Sequence, residues 1–176
     1  MTSDPTCGVA HGDAADRPAD RVLVAVFASP VAAALTRYAA DLGFRTVLVE
    51  PGTGRDVDVS TDAVARGFAE LDGELAAGTA DVVVTDHHRE ELGELLRDAL
   101  AAPTRWIGLM GNPRHEGPHV AALTALGVPP EEIARVHRPI GLDIGSRTPP
   151  EIAISTLAGL LADRNGRSGG FVHGRG

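Results

Sequence analysis

The apolar residues of this chain gather in four short unbroken runs, RVLVAVFA (21–28), FRTVLVE (44–50), ADVVVTD (80–86) and TRWIGLM (104–110). Runs of this length, rich in β-branched residues and without strict polar alternation, predict strands buried on both faces. The segments between them follow another period. In SPVAAALTRYAADLG (29–43), Val31, Leu35, Tyr38 and Leu42 fall at spacings of four, three and four, on one side of a helix. REELGELLRDALAA (89–102) reads the same way, and EGPHVAALTALG (116–127), PPEEIARV (129–136) and PPEIAISTLAGLLADR (149–164) supply further helices. Strand and helix alternate, which predicts an α/β fold: an open, mainly parallel sheet with helices on both faces. Residues 51–79 are the least legible stretch, with room for one short helix in VSTDAVARGFAELDGELAAG.

Capping residues support these boundaries. Ser29 suits an N-cap, Pro30 the first helical position and Gly43 a helix stop. Thr148 is placed to accept a hydrogen bond from the Glu151 N–H while Glu151 reaches back to the Thr148 N–H, with Pro149 at the first helical position. Residues 1–20 and 165–176 are Gly-, Ala- and polar-rich without periodicity. A single domain over 21–164 between two flexible tails is expected.

Composition narrows the class. With 176 residues, 43% of them hydrophobic, the chain is long enough for one domain with a proper core and short for two. Lys plus Arg number 16 against 24 Asp plus Glu, and the net charge of −8 gives no long-range attraction for nucleic acid or an anionic membrane. Any anionic ligand would need local cations. The lone cysteine, Cys7, excludes an intramolecular disulfide and offers no metal-ligand spacing. No apolar run approaches the roughly 20 residues of a spanning helix, and residues 1–20 lack the charged-then-apolar order of a secretory signal, so a cytoplasmic location is expected.

In open parallel sheets ligands sit beyond the carboxyl ends of the strands, where strand order reverses. The unusual residues fall at that rim: Ala28-Ser29-Pro30, Glu50, Thr85-Asp86-His87-His88 and Gly111-Asn112-Pro113-Arg114-His115. Glu50 stands 21 residues after Ser29 at a strand end, where a dinucleotide-binding fold keeps an acid for ribose hydroxyls. The phosphate-binding glycines are absent: Ala28 and Ser29 bring Cβ atoms, and Pro30 removes an N–H. His87 and His88 have diverging side chains and no third metal ligand at a useful spacing, leaving a rim contact, a general acid/base role or a solvated helix start. Arg114, amid Gly108 and Gly111, could hold a phosphate or carboxylate or be an ordinary solvated arginine. In RPIGLDIGSRTPPEIAIS (138–155), Gly141 and Gly145 permit positive φ angles around Asp143, and Arg147 follows. Asp143 and Arg147 either line the rim or pair with each other as a brace.

GLMGNPRH, VVVTDHH and PPEEIARVHRPIGLDIGSRTPPEIAISTLAGLLA together resemble the Rossmann-type domain of the XdhC/CoxI family, accessory proteins of molybdenum hydroxylases such as xanthine dehydrogenase and carbon monoxide dehydrogenase. The resemblance spans roughly residues 21–163 and is most specific over 138–155. It implies a Rossmann-like fold and a protein that binds the molybdenum cofactor, promotes its sulfuration and hands it on, in a family whose Rossmann domain can bind a nicotinamide dinucleotide. It implies as partners a molybdenum hydroxylase apo-enzyme or a cofactor-sulfurating enzyme, and leaves room for a homodimer. Matching positions are Gly108, Gly111, Arg114, Gly141, Asp143, Gly145, Arg147, Thr148 and Glu151, with His88 matching the second histidine of the third-strand motif. Three motifs depart. The GAGHVA-like turn reads Phe27-Ala28-Ser29-Pro30-Val31-Ala32, the serine-arginine turn reads Asn112-Pro113-Arg114, and the THDH-like motif reads Thr85-Asp86-His87-His88. The family's separate N-terminal domain has no counterpart here, and a stand-alone Rossmann unit is expected.

The leading expectation is therefore an accessory or maturation protein that cradles an anionic, molybdopterin-type molybdenum cofactor, with NAD(P) a weaker candidate. Its rim would comprise Ser29, Glu50, His88, Gly111, Asn112, Arg114, Gly141, Asp143, Gly145 and Arg147. Arg114 and Arg147 would take the anion. No nucleophile, base and orienting group stand together, so no catalytic residue is assigned. Two other classes stay open: an NAD(P)-dependent oxidoreductase, supported by Glu50, and an interaction module that kept the fold without a ligand.

Overall fold

A computed structural model of the chain describes residues 21–52, 58–111 and 117–170. The elements run β1 (Val22–Val26), α1 (Pro30–Asp41), β2 (Arg45–Val49), β3 (Ala63–Ala65), a 3-10 turn (Phe68–Glu70), α2 (Asp72–Leu75), β4 (Ala80–Val84), α3 (Leu92–Ala101), β5 (Thr104–Leu109), α4 (Pro118–Ala125), α5 (Pro130–Ile133), β6 (Val136–His137) and α6 (Pro149–Arg164). The six strands form one sheet in the order β3-β2-β1-β4-β5-β6, and every pairing is parallel. Successive strands step outward from β1 to β3, and the chain then returns to the other side of β1. The β1/β4 boundary is thus the topological switch point of a doubly wound Rossmann-like fold.

Two cores explain the apolar runs. Alternate residues of the central strands point to opposite faces: Val24, Val26, Val82 and Val84 join Leu96, Ala99 and Leu123 on the side of α3 and α4, whereas Leu23, Ala25 and Val83 join Leu35, Ala39, Leu157 and Leu160 beneath α1 and α6. Because both faces are covered, β1 and β4 are buried throughout and cannot show polar alternation. At the amino end of β4, Asp81 is fully buried and receives Arg105 at 2.6 Å and Arg164 at 2.5 Å, which pins the last turn of α6 to the sheet. That ion cluster lies at the end of the sheet away from the carboxyl ends of the strands.

Both expected caps are present. Ser29 accepts from the Ala32 N–H, and Thr148 with Glu151 forms the full capping box. Two strands escape the sequence pattern. Within 51–79 the structure holds β3, the 3-10 turn and the four-residue α2, and the segment 129–136 is a helix only over Pro130–Ile133, with Val136 instead in β6. Both missed strands are edge strands of two or three residues, too short to show a period. The 1–20 segment lies outside the described residues, whereas residues 165–170 are described and Gly169 lies close against Leu142. Among the described residues, no helix is long and apolar enough to cross a membrane.

Candidate functional site

The switch point is closed by the chain's own side chains. The Ser29 hydroxyl donates to Thr85 Oγ1 across the boundary at 2.9 Å, and Thr85 Oγ1 lies 2.9 Å from the Phe27 carbonyl. Phe27 sits at φ +72° with its side chain fully buried. This left-handed conformation is the one a glycine normally supplies in a phosphate-binding turn. The Arg89 guanidinium lies 4.7 Å from the Phe27 ring centroid.

Glu50 completes the closure. Its Oε2 accepts from the Ala28 N–H at 2.7 Å, and its Oε1 accepts from Arg89 Nη2 at 2.9 Å and from the Gly52 N–H at 3.0 Å. Partial burial works against the charged carboxylate, but the Ala28 N–H, Arg89 and the Gly52 N–H together outweigh it and hold Glu50 below the usual carboxylate range. An acid serving ribose hydroxyls needs free oxygens. Both of these are taken.

Beside the closed crevice lies an open groove of about 820 Å³, lined by Val31, Thr85, His87, Met110, Gly111 and residues 139–146 with Ile152, Ser155 and Thr156 of α6. The 141–146 loop is fastened to α6 by local chemistry. Leu142 exchanges bonds with Ser155: its N–H donates to the Ser155 carbonyl at 3.1 Å, and its carbonyl accepts from Ser155 Oγ at 2.6 Å. Gly141, at φ +89°, lets the backbone press against the helix, where a Cβ would meet Ser155 Oγ at 2.6 Å and the Thr156 nitrogen at 3.2 Å. Glu151 Oε2 accepts from the N–H groups of Arg147 at 2.7 Å and Thr148 at 3.0 Å, so one carboxylate caps α6 and holds the end of the loop.

At its β5 end the groove meets a cationic corner. Arg138 lies over Gly111, where a Cβ would stand 2.5 Å from the guanidinium. The His87 ring hydrogen-bonds the Met110 backbone and lies beside the His88 ring, with centroids 4.0 Å apart and planes tilted by 39°. Burial, then His88 and Arg138, push the His87 pKa down, while burial and Arg138 do the same to His119. Both shifts favour the neutral imidazole.

A family model, the XdhC Rossmann domain, matches residues 23–160. The chain belongs to the XdhC family. This XdhC domain is 37% identical over 91 residues to the uncharacterized protein YqeB of Escherichia coli K12, a match covering 52% of this chain and 16% of YqeB. A crystal structure from Bacillus halodurans, described as a xanthine dehydrogenase, superposes with a TM-score of 0.64 at 23% identity, over 94% of this chain and 53% of that one. The chain thus spans about half or less of these relatives, and the structural likeness speaks for the fold.

Within this XdhC domain the expected site residues divide into groups. Gly111, Gly141, Asp143 and Gly145 line the groove. Ser29 and Glu50 belong to the closed switch point. His88 is exposed on the groove's shoulder, and its neighbour His87 lines the groove instead. Arg147 is exposed, with its N–H committed to Glu151. Asn112 and Arg114 lie outside the described residues. The brace alternative is corrected: among the described residues no ion pair joins Asp143 to Arg147. Gly108 serves packing, since a Cβ there would stand 2.1 Å from the Trp106 ring. Arg89, Arg138 and His119 emerge only in three dimensions, whereas His87 was already placed at the rim by the sequence. The one sequence signal for Arg138 was its place at the head of the 138–155 stretch.

Proposed function

We propose that this XdhC domain is a cofactor-handling accessory protein of a molybdenum-containing hydroxylase, and that its groove takes an anionic pterin-type cofactor rather than a dinucleotide. One contrast carries the reading: the acid that would hold a dinucleotide ribose is engaged by Arg89 and the Ala28 and Gly52 N–H groups, and the first turn carries Phe27 in place of glycine, whereas the groove of about 820 Å³ beside them is open and of ligand size. The groove's chemistry fits a pterin. Asp143 offers a carboxylate for an amino-pyrimidine edge, Ser146 a hydroxyl, and Ile140, Ile144 and Ile152 an apolar wall for a flat ring. The molybdenum chemistry is the cofactor's own. The chain's part is to bind, orient and shield.

The NAD(P)-dependent oxidoreductase reading loses its main support, because Glu50 has no oxygen left for a ribose. The test is a thermal-shift comparison of the full chain with isolated molybdenum cofactor and with NADPH. Saturating cofactor at 100 times its dissociation constant would stabilise the fold by about 2.7 kcal/mol, and NADPH would give no shift at micromolar concentration. A shift with NADPH and none with the cofactor would overturn the proposal.

A further inference from the structure

The side chains that line the groove offer lone pairs and few protons. Among the described lining residues, His87 and Asp143 are the ionisable ones, and Thr85, Ser146, Ser155 and Thr156 carry the hydroxyls. Three hydroxyl protons are spent on the chain's own carbonyls: Thr85 Oγ1 donates to Phe27 at 2.9 Å, Ser146 Oγ to Glu151 at 3.3 Å and Ser155 Oγ to Leu142 at 2.6 Å. Thr156 is only 2% exposed. Asp143 is exposed, and its carboxylate has no hydrogen-bond or ion-pair partner among the described residues. His87 is an acceptor as well. The Met110 N–H is spent on the Val84 carbonyl at 3.0 Å, so the His87 ring bonds the Met110 carbonyl, which takes a ring N–H. A neutral imidazole has one N–H, and its second nitrogen is then a lone pair. Burial, His88 and Arg138 push His87 toward that neutral form.

We infer that the groove selects the donor edge of a cyclic guanidine, the adjacent ring N–H and amino group of an amino-oxopyrimidine, with Asp143 and His87 as the residues that set this specificity. The inference rests on the proposed role of the groove in holding such a ring, but needs neither molybdenum nor an anionic end. A carboxylate matches two parallel N–H donors, and the neutral His87 nitrogen takes a further one. A ring that carries an oxo group in place of the amino group sets a carbonyl against these acceptors and is rejected. The same donor edge occurs on pterins and on guanine nucleosides.

Fluorescence titration of the full chain with pterin and with lumazine, its oxo counterpart, tests the selection. Pterin should bind about tenfold tighter or more. Asp143→Asn, at an exposed position, should fold and lose most of that preference. His87→Phe should weaken pterin binding severalfold, and His87→Gln, which keeps an acceptor, should restore part of it. Bound pterin should also shift the resonance of the His87 acceptor nitrogen in NMR spectra, which a purely structural histidine would leave in place. Guanosine and inosine, which differ by the same amino group, tell the two sources apart: a guanosine preference without pterin binding supports the edge and assigns it to a nucleoside. Equal affinities within both pairs, a preference that survives in Asp143→Asn, or no saturable binding by any of the four would overturn the inference. Pterin preference without a thermal shift from the isolated molybdenum cofactor would sink the proposed function and leave the selection standing. A cofactor shift with equal affinities within both pairs would do the reverse.

Discussion

Replacing Arg89 by alanine tests whether the switch point is truly stoppered by its own charges. Arg89 and Glu50 are 10% and 11% exposed at the side chain, so solvent screens their contact little. Arg89→Ala leaves Glu50 with only the Ala28 and Gly52 N–H groups, and strips the cation from the Phe27 ring. Breaking a largely buried pair from one side costs about 3–5 kcal/mol, and the two surviving donors put this case at the lower end, about 3 kcal/mol. For a domain of this size that corresponds to a fall in Tm of about 6–12 °C. Urea unfolding at pH 7 measures the first quantity and a thermal scan the second. The acid limb gives an independent check. Because the Glu50 carboxyl is held below its ordinary value, its contribution is complete above about pH 4.3 and is lost as the pH falls through its folded-state value. Glu50→Gln should therefore be less stable than the unmodified chain at pH 7 and converge with it in acid. A loss below about 1 kcal/mol for Arg89→Ala, or parallel acid limbs for Glu50→Gln, would refute the reasoning.

Thr148→Ala removes the side-chain half of the capping box and should destabilise the chain by about 1 kcal/mol in urea unfolding, without altering ligand binding. Arg147→Ala should change the stability measured by urea unfolding by no more than about 0.5 kcal/mol, since its side chain is exposed. Asp143→Ala combined with Arg147→Ala should show additive stability effects; a coupling above about 0.5 kcal/mol would restore the brace.

The fold was largely legible because burial on both faces writes itself into the chain as continuous apolar runs, and the helices between them carry their own caps at Ser29 and Thr148. What escaped was short or non-local. β3 and β6 have too few residues to show a period, and Val64 on the edge strand β3 is exposed, so even its one β-branched residue marks no core face. In the site, the glycines of the 138–155 stretch announced an unusual backbone, and Gly141 and Gly145 do adopt positive φ. The engagement of Glu50 was invisible for a physical reason. Its partner Arg89 lies 39 residues away, and nothing local distinguishes an acid awaiting a ribose from one already bound to an arginine.

Phe27 bears on the adaptive history open to this fold. Its left-handed backbone carries a strain of about 1–2 kcal/mol that glycine would relieve, yet its ring is wholly buried, and deleting a buried phenylalanine side chain costs about 3–5 kcal/mol. Any single step from Phe27 to glycine is therefore uphill, and it would leave Glu50 still clasped by Arg89. Recovering a nucleotide-accepting turn would demand several coordinated replacements, none beneficial alone. As long as the aromatic ring stays in the sheet, the switch point stays shut and the open volume at this rim is the neighbouring groove.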